Sequence, residues 1–256
     1  MIGAAEIELA ERLADAAGGV VRRYFRQPLS IEDKPDRTPV TIADREAEAA
    51  MRTLIAAHFP QDGILGEEGG ATRGDAERVW VLDPIDGTKS FIAGIPLFGT
   101  LIALVEKGVP ALGVIDQPIL KERWLGATAR PTRFNGAPIR TRSCPALGAA
   151  SLFATSPDMF GADRGAFERL KAVVKTARFG ADCYAYAMLA SGFVDLVVEA
   201  DLKSYDYCAL APVVAGAGGS MTDWHGRPLT LASDGRVIAA GDARVATAAR
   251  AILAKE

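Results

Sequence analysis

Residues 80–91 read Trp-Val-Leu-Asp-Pro-Ile-Asp-Gly-Thr-Lys-Ser-Phe, and in this run two aspartates, Asp83 and Asp86, follow directly on apolar residues. The apolar part is typical of a buried strand, and Pro84 is expected to end that strand because proline cannot donate a ladder hydrogen bond. Gly87 then opens a predicted helix. Carboxylates are preferred ligands of Mg²⁺, and amides at a helix N-terminus bind phosphate oxygens. The run therefore predicts metal-assisted phosphoryl chemistry, with an aspartate-rich turn and helix cap as the alternative.

Other acidic residues stand at the ends of further predicted elements. Glu67 and Glu68 follow the strand-like residues 64–66, and Asp206 lies at the start of a helix predicted over 205–217. A single acid in a loop is usually solvated, but several carboxylates in one dry site would repel each other unless cations lay between them. The candidate metal-binding carboxylates are Glu67, Asp83, Asp86 and Asp206.

The order of these motifs along the chain resembles the inositol monophosphatase superfamily, a group of Mg²⁺-dependent and lithium-sensitive phosphomonoesterases. The resemblance extends from Ala43 to Gly241. The chain is most similar to the histidinol-phosphatase branch, because Lys89 and Ser90 stand where the inositol branch commonly has Thr-Asn. The segments that carry this narrower likeness are residues 83–91, 98–104, 113–118 and 182–186.

The resemblance implies an α/β (α+β) fold, a layered α-β-α-β-α sandwich. Residues 1–256 would form one domain, with a metal-binding half at 1–140 and a substrate-closing half at 141–256. The sequence pattern agrees, because hairpin signals lie among alternating helices and strands and disfavour a purely parallel sheet.

Hydrophobic periodicity and turn residues predict the individual elements. Helices are expected over 4–26, from a Thr41 cap to Pro60, and over 163–175, 182–190, 205–217 and 243–254. Strands are expected over 79–83, 98–106, 109–117, 149–155, 194–199 and 236–240. Residues 30–40 are predicted to form a loop or an edge hairpin, and tight turns are predicted at residues 107–108 and 135–136.

The resemblance assigns two or three Mg²⁺ ions to each active site. One ion would be bound by Glu67, Asp83 and the Ile85 carbonyl, and a second by Asp83, Asp86 and Asp206. The predicted cofactor is therefore Mg²⁺.

The resemblance also implies which residues perform the catalysis. Thr88 and Asp44 would orient and deprotonate the attacking water, and Glu67 would act with them as a catalytic metal ligand. Asp44 has an alternative explanation, because an acid in the first turn of a helix is also favoured by the helix dipole. The amides of Gly87 and Thr88 would hold the phosphate.

Substrate selection is expected in the second half. Asp182 stands where the inositol branch usually has a small residue, and its carboxylate could pair with the ammonium or imidazole of histidinol phosphate. Glu199 matches a family position that contacts the organic part of the substrate. Arg178 would reach the phosphate or a pocket carboxylate, or would form a surface salt bridge instead. The predicted substrate-binding residues are Asp86, Gly87, Thr88, Arg178, Gly180, Ala181, Asp182, Glu199 and Asp206.

The function that follows is hydrolysis of L-histidinol phosphate to L-histidinol and phosphate by a metal-activated water, a step of histidine biosynthesis. The alternatives are a broad-specificity phosphatase of the inositol-1-monophosphatase type and a non-catalytic regulatory protein with the same fold. The family implies a homodimer.

Composition gives no indication of a nucleic-acid or membrane partner. The formal net charge of the 256 residues is −3, and no basic patch is apparent. The N-terminus lacks the features of a signal peptide, and no uncharged apolar run reaches the ~18 residues of a membrane span. Three widely spaced cysteines and two histidines argue against a disulfide framework or a zinc site. A cytoplasmic location is therefore expected.

Overall fold

The structure, a computed structural model, describes residues 2–28, 31–33 and 39–254. The helices are α1 (Ala4–Tyr24), α2 (Ile42–His58), α3 (Thr88–Ile92), α4 (Arg164–Lys171), α5 (Asp182–Ala190), α6 (Ser204–Tyr207), α7 (Leu210–Gly216) and α8 (Ala243–Leu253). The strands of the first half are β1 (Ile31–Asp33), β2 (Pro39–Thr41), β3 (Gly63–Gly66), β4 (Gly70–Thr72), β5 (Arg78–Asp86), β6 (Gly99–Glu106), β7 (Val109–Gln117), β8 (Glu122–Ala127), β9 (Arg130–Phe134) and β10 (Ala137–Pro138). Those of the second half are β11 (Ser151–Ala154), β12 (Thr176–Phe179), β13 (Leu196–Glu199), β14 (Ser220–Asp223) and β15 (Val237–Ala240).

Two mixed sheets and three helical layers form the expected α-β-α-β-α sandwich. The first sheet has the strand order β10-β9-β8-β7-β6-β5-β3-β4, and the second has the order β12-β11-β13-β15-β14. Helices α1 and α2 contact the first sheet on its outer side, α5, α6 and α7 lie between the sheets, and α4 and α8 cover the second sheet. In the first sheet β3 and β5 are parallel, whereas its other neighbouring strands are antiparallel. The layered fold is confirmed.

The first two helices illustrate how the sequence forms these layers. The predicted apolar stripe of α1 is buried, including Leu9, Leu13 and Val21. Helix α2 begins at a capping box in which the Thr41 hydroxyl oxygen accepts from the Ala43 amide, and the Thr41 amide donates to the Asp44 carboxylate. A capping box satisfies two amides that have no partner within the helix. These contacts set the direction in which α2 crosses the sheet.

The strand that carries the two aspartates continues further than the sequence predicted. Strand β5 does not end at Pro84 but runs to Asp86, and its register with β6 shifts between Asp83 and Asp86. A bulge tolerates proline because the extra residue does not need a ladder hydrogen bond. The hydroxyl of Thr100 on β6 donates to the Pro84 carbonyl at 2.8 Å and bridges the irregularity. The bulge brings both aspartates to one strand end.

Several other predicted boundaries differ from the structure. The helix predicted over 205–217 is two helices, α6 and α7, and the helix predicted over 163–175 is the shorter α4, preceded by a 3₁₀ segment at Pro157–Asp163. Strands β4, β8, β9, β10, β12 and β14 were not predicted. Strands β1 and β2 confirm the edge hairpin, although residues 29, 30 and 34–38 lie outside the described residues. Within the ranges that the structure describes, no helix is long and apolar enough to cross a membrane.

Candidate active site

Three aspartates from two separate parts of the chain converge in the described structure. Asp83 and Asp86 stand at the end of β5, and Asp206 lies in α6. One carboxylate oxygen from each residue lies within 4.8 Å of those of the other two. The structure therefore brings together three of the four carboxylates that the sequence selected as metal ligands.

Glycines on the first sheet allow the segment that carries Asp206 to come this close. A Cβ atom on Gly113 of β7 would lie 1.9 Å from the carbonyl oxygen of Ala209, and one on Gly126 of β8 would lie 2.4 Å from that of Pro212. Any side chain would therefore push α7 away from the sheet. The contact of α7 with bare backbone fixes Asp206 relative to the aspartates of β5.

Glu67, the fourth predicted carboxylate, follows β3 and is adjacent to the end of β5. Its backbone amide donates to the carbonyl of Leu82 at 3.1 Å, one residue before Asp83. The two carboxylates are close enough that Glu67 contributes, through its charge and a hydrogen bond, to a raised pKa of Asp83. All four acids therefore belong to one cluster.

The cluster is electrostatically costly without a cation. Burial raises the pKa of Asp83 and of Asp86 well above its ordinary value, and neighbouring carboxylates raise both further. Burial likewise raises the pKa of Asp206 to about 7. The hydrogen bond from the Lys203 amide lowers this pKa, and the charge of Glu67 raises it. Desolvation and like charges both disfavour ionised carboxylates. A divalent cation would reverse this penalty, so the donor set fits an oxygen-binding metal ion.

Asp44 lies at the start of α2 and is fully buried. Its Oδ2 accepts from the Thr41 amide at 2.8 Å and from the Thr41 hydroxyl at 2.6 Å, whereas its Oδ1 is buried and has no hydrogen-bond partner. Burial raises the pKa of Asp44 and the charge of Glu67 adds to the rise, although the bonds from Thr41 lower it. A buried carboxylate oxygen without a partner is rare in folded proteins, and it marks a position where a water or cation would be accepted.

The helix start after β5 is formed as predicted, but the helix is short. Gly87 has φ of 88° and caps α3, which spans Thr88–Ile92. The Thr88 hydroxyl donates to the Ile85 carbonyl at 3.1 Å, and the Ile85 amide donates to Asp83 at 3.0 Å. Thr88 and the Ile85 carbonyl, both predicted site groups, are thus in direct contact.

Two adjoining pockets open over the acids. One, of about 170 Å³, is lined by Pro39, Glu67, Asp83, Ile85, Asp86, Gly87, Thr88, Lys89, Thr155, Asp182 and Asp206. The other, of about 120 Å³, contains Asp86, Thr155, Met159, Asp182, Cys183, Tyr186, Glu199, Leu202, Asp206 and Leu210. A larger groove of about 730 Å³ runs between α1 and strands β8 and β9 but contains none of the four acids. The candidate site therefore comprises the two smaller pockets and not this groove.

Asp182 lines both pockets, and Glu199 lines the smaller of the two. Asp182 begins α5 with φ of 45° and accepts from the Ser90 hydroxyl at 3.2 Å. Glu199 ends β13 and accepts from the Thr155 amide at 2.8 Å and the Tyr186 hydroxyl at 2.9 Å. Burial raises the pKa of Glu199 to about 7 and also raises that of Asp182. The smaller pocket therefore has two further acids, Asp182 and Glu199, beside Asp86 and Asp206.

The other predicted substrate residues are placed differently. Arg178 is exposed on the edge strand β12 and lies in neither pocket. Gly180 is exposed with φ of 82°, and its amide donates to the Thr155 carbonyl at 3.0 Å. Ala181 is buried immediately before α5. The structure thus keeps Gly180 and Ala181 near the pocket wall and leaves Arg178 outside it.

Thr155, Ser90 and Tyr186 contact Asp182 or Glu199 but were not selected from the sequence. Thr155 follows the end of β11, which is parallel to β13, so it stands beside Glu199. The carboxyl ends of parallel strands meet at one edge of a sheet and often carry binding residues. A correct prediction of both strand ends would have paired Thr155 with Glu199.

Comparison with known proteins agrees with this geometry. A sequence model described as the inositol monophosphatase family matches residues 5–255. The chain belongs to this family. It is therefore a phosphatase of this family. Its own cluster of Asp83, Asp86 and Asp206 is suited to a metal ion.

Individual members differ in the activity that their names state. The chain is 54% identical over 243 residues to the chloroplastic bifunctional phosphatase IMPL2 of Arabidopsis thaliana, covering 91% of this chain and 70% of that protein. It is 35% identical to a histidinol-phosphatase of Chlorobaculum parvum, covering 91% and 92% of the two chains. The solved structure of an inositol monophosphatase from Zymomonas mobilis has a TM-score of 0.90 and 51% identity, over 98% of this chain and 99% of that one.

Proposed function

We propose that the protein is a Mg²⁺-dependent phosphomonoesterase that hydrolyses L-histidinol phosphate to L-histidinol and phosphate. The observation that carries this proposal is that the acidic lining does not stop at the metal site. Asp182 and Glu199 extend it into the adjoining pocket, where the organic part of a substrate would lie. An acidic wall favours a cationic substrate over a neutral one.

The cation-binding groups divide into two sets that share one residue. Glu67, Asp83 and the Ile85 carbonyl would hold one Mg²⁺, and Asp83, Asp86 and Asp206 the second. When bound, the ions would lower the pKa of the attacking water and offset the charge that develops on the phosphate. The convergence of Asp83, Asp86 and Asp206 within 4.8 Å supports the second set, and the interaction of Glu67 with Asp83 supports the first.

The proton of the attacking water needs an acceptor. Thr88 stands at the helix start with its hydroxyl directed to the Ile85 carbonyl, and its oxygen would orient the water. Asp44 would take the proton, because its Oδ1 is buried without a partner and its raised pKa makes the carboxylate a better base. Glu67 would assist Thr88 and Asp44 as a ligand of the Mg²⁺ ion.

The phosphate would lie against the amides of Gly87 and Thr88, with the organic group directed towards Asp182. A cation on that group would meet the Asp182 carboxylate, which also accepts from the Ser90 hydroxyl and interacts with Lys89 and Thr155. Glu199 is held by Thr155 and Tyr186, so its carboxyl group would keep a fixed orientation towards the substrate. Asp182 and Glu199 line the path of the organic group. Among the described residues that line the two pockets, Lys89 is the one side-chain cation.

An inositol monophosphatase is the second candidate. It is favoured by the 51% identity to the Zymomonas mobilis protein over nearly the full length of both chains. A non-catalytic role fits the structure less well, because all four acids, Thr88 and Asp44 are assembled around one site.

A homodimer and a division into a metal-binding and a substrate-closing half are also proposed. In the second half, Val173, Phe179 and Phe193 are large apolar side chains that are exposed, and an interface would cover such residues. Light scattering coupled to gel filtration measures the assembly directly, and a monomer at micromolar concentration would exclude the dimer.

The activity is tested by phosphate release from histidinol phosphate, inositol 1-phosphate and adenosine 3′,5′-bisphosphate, each with Mg²⁺ and with a chelator. We expect the highest kcat/KM with histidinol phosphate and no turnover in chelator. Preference for inositol 1-phosphate would select the second candidate, and absence of turnover on every substrate would leave only a non-catalytic role.

The acidic wall is tested by Asp182→Asn, since asparagine tolerates the positive φ of this position. Loss of a charge-assisted hydrogen bond costs about 1.5–3 kcal/mol, so kcat/KM for histidinol phosphate should fall roughly 10- to 150-fold. Inositol 1-phosphate should be affected far less because it carries no cation. Asp158→Asn, at an exposed acid of the same half, is the matched control. Equal losses on both substrates would show that Asp182 does not select by charge.

A further inference from the structure

The turn that carries Glu67 is held from the side by a carboxylate of helix α2. Glu48 is 2% exposed. Its Oε2 accepts from the Glu68 amide at 2.8 Å, and its Oε1 accepts from the Gly69 amide at 2.8 Å. The two residues after Glu67 are therefore fixed by one buried side chain.

Arg52 extends this contact to the following strand. Its Nε donates to Glu48 Oε1 at 2.6 Å, one helical turn away on α2. The same guanidinium donates to the Gly70 carbonyl and, at 3.3 Å, to the Thr72 hydroxyl on β4. The pair thus ties the whole turn between β3 and β4 to α2. Charge-assisted hydrogen bonds of this kind are stronger than neutral ones.

The turn is shaped to receive the Glu48 carboxylate. A Cβ atom on Gly66 would lie 2.2 Å from Glu48 Oε1, and one on Gly69 would lie 2.7 Å from the same oxygen. Glycine at these two positions leaves the space that the carboxylate fills. The carboxylate and the turn therefore fit each other closely.

Glu67 stands between two fixed points. Its own amide donates to the Leu82 carbonyl of β5, and the next two amides are held by Glu48. Its backbone consequently has little freedom, and its carboxylate remains beside Asp83 even though the two repel each other.

We propose that Glu48 is a positioning residue, which presets Glu67 for the cation before the cation arrives. The inference rests on the proposed function, because that function makes Glu67 a ligand. Glu48 itself does not line either pocket over the acids. Groups that orient a metal ligand typically change metal affinity 10- to 100-fold when they are removed.

The test is Glu48→Gln in the full-length protein, with Mg²⁺ as the probe. Glutamine keeps the size of the side chain, but its amide group can accept from only one of the two N–H groups and loses the charge that pairs with Arg52. We expect the Kd for Mg²⁺, measured by calorimetry, to rise about 10- to 100-fold. Hydrogen exchange at the Glu68 and Gly69 amides should also accelerate in the metal-free protein.

Two further variants make the result specific. Glu46→Gln lies on the same helix, where Glu46 pairs with Arg23 and Tyr24 instead, and it should leave Mg²⁺ affinity and both amides unchanged. Gly69→Ala disturbs the same contact from an exposed loop position, and it should weaken Mg²⁺ binding without unfolding the chain.

Unchanged exchange at the two amides in Glu48→Gln would overturn the positioning role, whatever the metal does. Unchanged Mg²⁺ affinity in both Glu48→Gln and Gly69→Ala would overturn it as well. A wild-type protein that does not bind Mg²⁺ would instead refute the proposed function, and the exchange measurement separates these outcomes.

Discussion

Replacing Asp206 by asparagine is expected to stabilise the metal-free protein at neutral and alkaline pH while it abolishes Mg²⁺-dependent turnover. The substitution keeps the shape of the side chain, and the new amide oxygen can still accept from the Lys203 N–H that Asp206 now accepts from at 2.7 Å. It removes one charge from a cluster that contains Glu67, Asp83 and Asp86. Because burial and neighbouring like charges both disfavour an ionised carboxylate at this position, the folded state gains.

The size of the gain follows from the pKa of Asp206, which burial raises from 3.8 to about 7. Since one pKa unit corresponds to 1.36 kcal/mol, the ionised carboxylate costs about 4 kcal/mol in the folded state. Below about pH 4 both states are protonated and the cost is absent. Between about pH 4 and pH 7 the unfolded chain ionises while the folded protein keeps its proton, so stability falls as pH rises. Above pH 7 the cost is constant and maximal.

Thermal unfolding of both proteins in chelator, from pH 4 to pH 8, measures this difference. About 4 kcal/mol corresponds to a Tm increase of roughly 10 °C for a chain of this size, reached near pH 7 and absent near pH 4. In saturating Mg²⁺ the wild-type protein should have the higher Tm of the two, because only the wild-type site binds the ion fully. Asp201→Asn, at a neighbouring exposed acid, should behave like wild type. An Asp206→Asn protein that melts no higher than wild type at pH 8 in chelator would refute the argument that burial and neighbouring charges penalise the ionised Asp206.

Two further substitutions test the catalytic and structural readings. Thr88→Ala should lower kcat by roughly 100-fold with little change in KM, because the hydroxyl is proposed to act at the transition state. Thr88→Ser should restore most of the lost kcat. A change confined to KM in steady-state assays would leave Thr88 as a phosphate contact. Gly113→Ala should destabilise the protein by more than about 3 kcal/mol in denaturant unfolding, because the new methyl would overlap the Ala209 carbonyl. The control is Gly19→Ala, which lies in open space on α1 and should be neutral or stabilising by up to about 1 kcal/mol. Equal stability of Gly113→Ala and Gly19→Ala would contradict the role given to the contact between Gly113 and Ala209.

The parts of the site that sequence reasoning predicted are those with a local signature. Asp83, Asp86 and Glu67 each follow an apolar strand, and Asp206 begins a helix, so their positions at element ends could be read from the chain. Their convergence came from the family resemblance, and the structure confirms the fold that it implied. The course of β5 through Pro84 was missed because a bulge is decided by the partner strand.

The remaining site residues depend on contacts between elements that are distant along the chain. Glu48 reads as an ordinary polar residue of α2, and only the packing of the turn after β3 gives it a partner. Thr155 becomes significant because β11 lies beside β13. Arg178 was expected at the pocket because β12 was not predicted, and an edge strand directs part of its residues to solvent.

The contact of Gly113 and Gly126 with the start of α7 makes the position of Asp206 independent of the residues around the proposed substrate. Asp206 takes its position from the first sheet, through Gly113 and Gly126, whereas Asp182 and Glu199 belong to α5 and β13 of the second half. Changes that reshape the proposed substrate wall therefore need not move Asp206, the proposed metal ligand from the second half. If the proposed function holds, the same scaffold can acquire new substrate preferences while its hydrolytic step is left intact.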